Sequence, residues 1–261
     1  MTAEQTAFIP LLIFYLLVGI RFIGMMFSAP IFMASSMPLP LRFWSAAFLT
    51  LSAVGTLNGE IPLLLFESWT ALAVLALREL LIGTAIGFFA ALPLYALQIS
   101  GELIGISMGL SMVSLLDPLS EVQISIIGQL QFLVGLWFYF RWNGHILMTQ
   151  AVVESLKLVP PGRLAISLSW DLGLGSWLHS AFTLSLRFVL PFYGAILLAD
   201  VGLGFLARTV PQMNIFVLGL PLKIGLGFFV LMVVLPVMVE LMAENMEPWI
   251  EYGLKVATAW R

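Results

Sequence analysis

Long apolar segments with few charges are the feature that most constrains how this chain can fold. The longest cover residues 6–29, 69–100, 176–208 and 211–240. A helix needs about 20 mostly apolar residues to cross the hydrocarbon core of a bilayer. The whole sequence is 61% hydrophobic and 10% charged, whereas a soluble globular domain carries about 25% charged residues. The sequence therefore predicts an all-α, polytopic membrane protein.

Shorter segments and internal prolines indicate that the helices are not all simple spans. Residues 43–57 and 146–159 are short for a span, and prolines lie inside the long segments at positions 93, 191, 221 and 236. Internal prolines remove a helix hydrogen bond and favour kinks. We expect six or seven helices, several of them kinked or broken, no strands and a single domain. Glutamates at positions 240, 244, 247 and 251 predict one acidic face of a terminal amphipathic helix.

Residues 101–118, GELIGISMGLSMVSLLDP, form an apolar segment that is a poor membrane span. The charge-free run inside it would cover about 21 Å as a helix, against about 30 Å of hydrocarbon. Glycines at positions 101, 105 and 109 would leave one helix face almost bare, so that another backbone could approach closely. Asp117-Pro118 should end any helix. Two interpretations are open: a tightly packed helix end, or a re-entrant loop enclosed by protein.

Charged residues inside the apolar segments are the other candidates for function, because such charges are costly and usually face protein or water. They are Arg21, Arg78, Glu79, Arg187, Asp200 and Lys223. They could form ion pairs between subunits, or they could pair within the chain or reach an interface. For Lys223 we expect a carboxylate of a neighbouring subunit, the alternative being an ordinary lysine near a helix end. Gln212 and Asn214 are expected to hydrogen-bond across helices at a turn.

Several classes of function have no support in the sequence. The formal net charge of −3, without a basic cluster, gives no footprint for nucleic acid. Two histidines, His145 and His179, and no cysteine make a zinc site improbable. No phosphate-binding loop, nucleotide fingerprint or nucleophile elbow occurs. We therefore expect neither an enzyme nor a cofactor or metal site.

Three stretches, taken together and in order, resemble the FliR/SctT family of flagellar biosynthetic and type III secretion export-gate proteins. They are residues 101–118, the WNGH at 142–145 and the VPQMNIFVLGLPLK at 210–223. The length and the hydropathy profile are similar over the whole chain. The resemblance implies a FliP-like part, about 1–175, fused to a FliQ-like hairpin with a tail, about 176–261.

The same resemblance implies a cellular location and partner proteins. A family member assembles with several copies of FliP and FliQ into a closed conical channel, with FlhB and other export-apparatus proteins nearby. The channel belongs to the flagellar basal body at the bacterial inner membrane, is raised toward the periplasmic side, and passes unfolded flagellar proteins. The homologous virulence secretion subunit is an alternative, and a secondary transporter is a second, because broken helices and isolated charges also occur there.

In the family, the loop after the third long helix plugs the pore, and residues 101–118 match it. The resemblance thus implies plug residues, which are Gly101, Gly105, Met108, Gly109, Met112, Leu115, Leu116, Asp117 and Pro118. Other members often carry Phe near the end of this loop, where this chain has Met112, Val113, Leu115 and Leu116. Apolar constrictions gate by dewetting, methionine repacks around varied surfaces, and glycine permits backbone displacement.

Overall fold

A computed structural model of the chain describes residues 3–33, 38–56, 69–110, 125–162, 174–209 and 215–258. Within these ranges the chain is all-α and contains no strand, as the apolar segments predict. The helices are α1 Ala3–Ser28, α2 Pro30–Met33, α3 Leu39–Thr56, α4 Trp69–Ser107, α5 Ile126–Arg141, α6 Gly144–Leu158, α7 Leu174–Thr209 and α8 Ile215–Thr258.

Four of the described helices are long and apolar enough to cross a membrane. These stretches are Ile9–Ser28, Trp69–Ser107, Gly175–Thr209 and Gly219–Thr258. Helix α4 continues through Pro93, and α7 continues through Pro191. The acidic tail is not a separate helix, contrary to the sequence-based expectation, because α8 runs without a break to Thr258. Its four glutamates are nevertheless all exposed, as an acidic face requires.

The chain divides into two compact units, each assembled from segments that are far apart in sequence. The first consists of Met1–Leu92, Asn143–Gly173 and Met246–Arg261, and the second of Pro93–Trp142 and Leu174–Asn245. Helices α4 and α8 each contribute residues to both units. The sequential parts that the resemblance implies, divided near residue 175, follow another boundary and stay a prediction.

In the first unit, α1 and α4 pack backbone against backbone. A Cβ added to Gly83 would collide with the carbonyl of Arg21, and one added to Gly87 would collide with the carbonyl of Met25. A Cβ on Gly24 of α1 would in turn collide with the carbonyl of Leu80. Small residues spaced in this way let two helices approach closely. The α1–α4 contact therefore depends on the absence of side chains at these three positions.

The long helices differ in the share of their residues that is buried. In the most apolar window of α4, 67% of the residues are buried, whereas the figure is 22% for α7 and for α8. Large apolar side chains of α7 are exposed, among them Leu190, Leu198 and Phe205. Exposed apolar surface of this extent marks a surface that lipid or another protein covers.

Candidate functional site

Helix α4 ends in a defined turn within the second unit. The backbone N–H of Gly109 donates to the carbonyl of Ile106 at 3.0 Å, and that of Leu110 donates to the carbonyl of Gly105 at 3.0 Å. Gly109 has a φ of 80°. Two such hydrogen bonds around a left-handed residue form the Schellman motif, in which glycine carries no steric penalty. This turn sets the direction in which the chain leaves α4.

Because of this Schellman turn, the candidate loop begins later in the sequence than residue 101, and the helix before it ends earlier than predicted. The sequence predicts that Asp117-Pro118 ends the helix, whereas α4 ends at Ser107 because Gly109 closes it first. Gly101 and Gly105 therefore lie in the last two turns of α4 and not in a loop. Of the nine residues implied as the plug, these two are helical, and Met108 and Gly109 form the turn.

Glycines bring α4 and α5 into backbone contact. A Cβ on Gly101 would lie 2.5 Å from the Cα of Gly128 and 2.8 Å from Oε1 of Gln131. A Cβ on Gly105 would lie 2.6 Å from Oγ of Ser125. The spacing of the glycines predicts close approach of another backbone. The backbone of α5 makes this approach at Gly101, whereas the side chain of Ser125 occupies the space at Gly105.

Ser125 holds the start of α5 against the same part of α4. Its hydroxyl oxygen accepts a hydrogen bond from the N–H of Gly128 at 3.3 Å, as an N-cap does, and its O–H donates to the carbonyl of Gly101 at 3.3 Å. Residues 111–124 therefore leave and rejoin the described structure at the end of α4 and the start of α5, which are in contact.

A buried polar network lies beside this contact. Gln131 is 2% exposed. Its Oε1 accepts from the hydroxyl of Ser100 at 2.7 Å, and its Nε2 donates to Sδ of Met238 on α8 at 3.6 Å. These residues are not among those singled out from the sequence. Glutamines at positions 123, 129 and 131 in the charge-free run 122–140 were the available signal, because a buried amide needs partners.

Met108 packs on α8 at a position without a side chain. It is fully buried, and a Cβ on Gly227 would lie 2.7 Å from its Cγ and Cε and 2.8 Å from its Sδ. A Cβ on Gly109 would lie 2.7 Å from Cδ1 of Leu220, one heptad earlier on α8. The first residues after α4 thus follow one face of α8.

Seven of the residues singled out from the sequence lie outside the described part of the chain. They are Met112, Leu115, Leu116, Asp117, Pro118, Gln212 and Asn214.

Arg21 and Glu79 form a buried ion pair in the first unit, with both side chains fully buried. Nε of Arg21 donates to Oε2 of Glu79 at 2.6 Å. The other two guanidinium nitrogens donate to Oγ of Ser155 at 3.0 Å and to the carbonyl of Val159 at 2.9 Å. One guanidinium group thereby connects α1, α4 and the end of α6. Arg78, the neighbour of Glu79, is also buried, with 6% of its surface exposed.

Lys223 and Asp200 form a second ion pair, which links α7 to α8 in the second unit. Nζ of Lys223 lies 2.5 Å from Oδ1 of Asp200, and the two side chains are 28% and 48% exposed. The carboxylate that contacts Lys223 in the described structure is thus one of its own chain. Arg187, on α7, is exposed.

The distribution of possible metal ligands is a further feature of the part of the chain that the structure describes. No group of three or more His, Cys, Asp or Glu side chains is placed there to hold a metal ion.

Comparison with known proteins gives one family and consistent relatives. Residues 12–248 match the family described as Bacterial export proteins, family 1. Flagellar biosynthetic protein FliR of Bacillus subtilis is 30% identical over 226 residues, which cover 85% of this chain and 86% of the relative. FliR of Escherichia coli is 27% identical over 219 residues, covering 83% and 82%. Secretion system apparatus protein SsaT of Salmonella typhimurium is 31% identical over 175 residues, covering 65% and 64%.

Proposed function

The chain belongs to family 1 of the bacterial export proteins and is a component of the flagellar export apparatus, and from this premise we propose that it is a structural and gating subunit of the export channel. In this proposal it assembles with FliP and FliQ in the inner membrane, beside FlhB. It closes the channel with an apolar segment and lets unfolded flagellar proteins pass when that segment moves. Its role is structural and not enzymatic.

The observation that carries the gating proposal is the attachment of residues 111–124. They contain Met112, Leu115 and Leu116, and they are flanked by a Schellman turn on one side and the N-cap Ser125 on the other. Helices α4 and α5, which hold these two ends, touch through Gly101 and Gly128. The two described residues that flank this segment are therefore held close to the same helix contact. An apolar segment also excludes water and ions from a narrow passage.

The assembly proposal is supported by the outer surface of α7 and α8. Large apolar side chains such as Leu198, Phe205 and Phe229 are exposed over much of these two helices. Small hydrophobic partners such as FliP and FliQ could cover this surface. Arg78, Arg187, Asp200, Lys223, Gln212 and Asn214 stay candidates for contacts that fix the register between subunits. The carboxylate of Glu79, the other candidate from the sequence, is fully buried in its ion pair with Arg21 of the same chain.

The flagellar system is favoured over the virulence secretion systems by the extent of similarity. FliR of Bacillus subtilis is matched over 85% of this chain, whereas SsaT is matched over 65%. A secondary transporter, the other candidate from the sequence, would function as a monomer or a small homo-oligomer. The family membership does not support the hypothesis that the chain is a secondary transporter.

Replacing Met112, Leu115 and Leu116 together by serine tests the gating proposal. Hydroxyl groups would stabilise water in the constriction, so we expect ion conductance of the resting export complex to rise at least tenfold while the complex still assembles. The measurement is conductance of the purified complex in planar bilayers, with assembly checked by the amounts of FliP and FliQ that co-purify.

A volume-matched apolar variant, Met112→Leu with Leu115→Met and Leu116→Met, is the control. It should keep conductance at the wild-type level. Equal conductance of the serine variant and this control, in fully assembled complexes, would contradict the proposal that this segment closes the pore.

A further inference from the structure

A groove of about 530 Å³ lies between α3 and α6 in the first unit. Most of its lining is apolar and includes Phe22 of α1, Leu49 of α3 and Val153 of α6. Pockets that bind small molecules have volumes of about 300–1,000 Å³. The groove is therefore large enough to hold a ligand with an apolar body.

Two charges of opposite sign stand where the lining ends on α6. Glu154 and Lys157 both line the groove and are exposed. They are three residues apart on one helix, so their Cβ atoms are about 5–6 Å apart on the same face. Neither forms an ion pair with another residue in the part of the chain that the structure describes. Each can therefore take a partner of opposite charge from outside the chain.

The size of the groove favours an acyl chain over a partner helix. Helix α6 lines it from Ile146 to Lys157, which is about 16 Å along the helix axis. A helix of that length and 10–12 Å in diameter fills about 1,300 Å³ or more, which exceeds twice the volume of the groove. A hydrocarbon chain is only one methylene wide, so it can enter.

We propose that this groove binds a phospholipid with a zwitterionic ethanolamine headgroup. Its ammonium and phosphate groups are joined by two carbons, which suits two charged side chains one helical turn apart. Glu154 accepts charge-assisted hydrogen bonds from the ammonium group, and Lys157 donates to the phosphate. One acyl chain lies against Phe22, Leu49 and Val153. The inference does not depend on the gating function.

The two charges also distinguish between headgroups. The ammonium group of phosphatidylethanolamine has three N–H donors, like that of lysine, whereas the choline nitrogen of phosphatidylcholine has none. Anionic phosphatidylglycerol would pair with Lys157 but would leave Glu154 without a cation. The groove should therefore prefer phosphatidylethanolamine to both.

Lipid binding to the purified full-length chain, with the subunits that co-purify, tests the headgroup contacts. Delipidated protein in mild detergent is titrated with each of the three lipids, and native mass spectrometry gives the affinities. We expect phosphatidylethanolamine to bind at least threefold more tightly than the other two. Glu154→Gln should abolish that preference, and Glu154→Lys should shift it to phosphatidylglycerol. Glu251→Gln, an exposed change in the same unit outside the groove, should bind like wild type.

A matched pair of tryptophan variants on α3 tests the groove itself. Ser52→Trp fills it and should lower the affinity for all three lipids at least tenfold. The hydroxyl of Ser52 donates to the carbonyl of Phe48 in its own helix, so its loss removes no contact between helices. Leu51→Trp changes an exposed neighbour that does not line the groove and should leave binding unchanged.

Three results would overturn the proposal. The first is equal headgroup preference of wild type and Glu154→Gln, and the second is equal affinity of Ser52→Trp and Leu51→Trp for phosphatidylethanolamine. The third comes from the photo-reactive residue p-benzoylphenylalanine in place of Val153, which should capture a phospholipid in cells. Capture of a protein at that position would assign the groove to a protein partner instead.

Discussion

At the scale of single residues, Arg21 and Glu79 show how a costly pair of charges is accommodated. Three nitrogens of the guanidinium group have acceptors, namely Glu79, Ser155 and the carbonyl of Val159. A buried pair of this kind contributes little relative to a well-packed apolar pair, but removal of one partner leaves an uncompensated charge. The pair therefore fixes which faces of α1, α4 and α6 meet.

We predict that Glu79→Gln lowers the free energy of unfolding by about 3–5 kcal/mol, because Arg21 stays charged and buried without its counter-ion. The double variant Arg21→Met with Glu79→Met should recover most of that loss. Thermal unfolding of the purified complex measures both effects. Glu251→Gln, an exposed change in the same unit, is the control, and a wild-type melting temperature for Glu79→Gln would contradict the prediction.

The sequence identifies the residues that need partners better than it identifies the partners. Arg78-Glu79 stands out in an apolar segment, and so does Lys223. The partner of Glu79 lies 58 residues away along the chain. The packing of α1 on α4 brings Arg21 and Glu79 together. That packing depends on glycines, and the sequence alone does not show which helix each glycine contacts.

At the scale of elements, the connection between α5 and α6 depends on one residue with an uncommon backbone conformation. Asn143 has a φ of 58° and occupies the N-cap position of α6 without a side-chain capping hydrogen bond. Asparagine tolerates this left-handed region better than most residues. Helix α6 begins at the next residue, Gly144.

We predict that Asn143→Gly changes the free energy of unfolding by only a few tenths of a kcal/mol, whereas Asn143→Val lowers it by about 1–3 kcal/mol. The reason is that a β-branched side chain is strained at positive φ. Chemical denaturation of the two variants, monitored by circular dichroism, gives the comparison. Equal stability of the glycine and valine variants would show that this turn can relax.

Helix positions were predictable to within a few residues where an apolar run has clear ends. The end of α4 was not, because the prediction rested on Asp117-Pro118 and not on Gly109. A glycine just after a periodic apolar run is itself a stop signal, and it lies eight residues earlier. The spacing of the glycines in α4 predicted that another helix packs closely there, but it did not predict that this helix is α5.

At the scale of the whole molecule, α7 carries glycines that nothing in the described structure explains. Gly194, Gly202 and Gly204 have no atom within 4 Å of their Cβ positions. Each costs helix stability relative to alanine, and exposed apolar side chains surround them. Glycines of this kind allow another helix to approach, which fits the proposed partners.

We predict that Gly202→Leu lowers the amount of FliQ or FliP that co-purifies with the chain at least tenfold, because the larger side chain separates the helices. Gly202→Ala should lower it far less. Quantitative mass spectrometry of the purified complex measures the amounts, and circular dichroism checks that helicity is retained. Normal co-purification with Gly202→Leu would place the partner surface elsewhere.

The first compact unit is completed by Met246–Arg261, the last part of the chain. There Gly253 sits against Ile86, and the ring of Tyr252 contacts the ring of Phe89. The ribosome makes these residues long after Ile86 and Phe89, so the first unit can be completed only when the later segment has been synthesised. Removal of residues 246–258 would therefore uncover surface of α4 that is far away in the sequence.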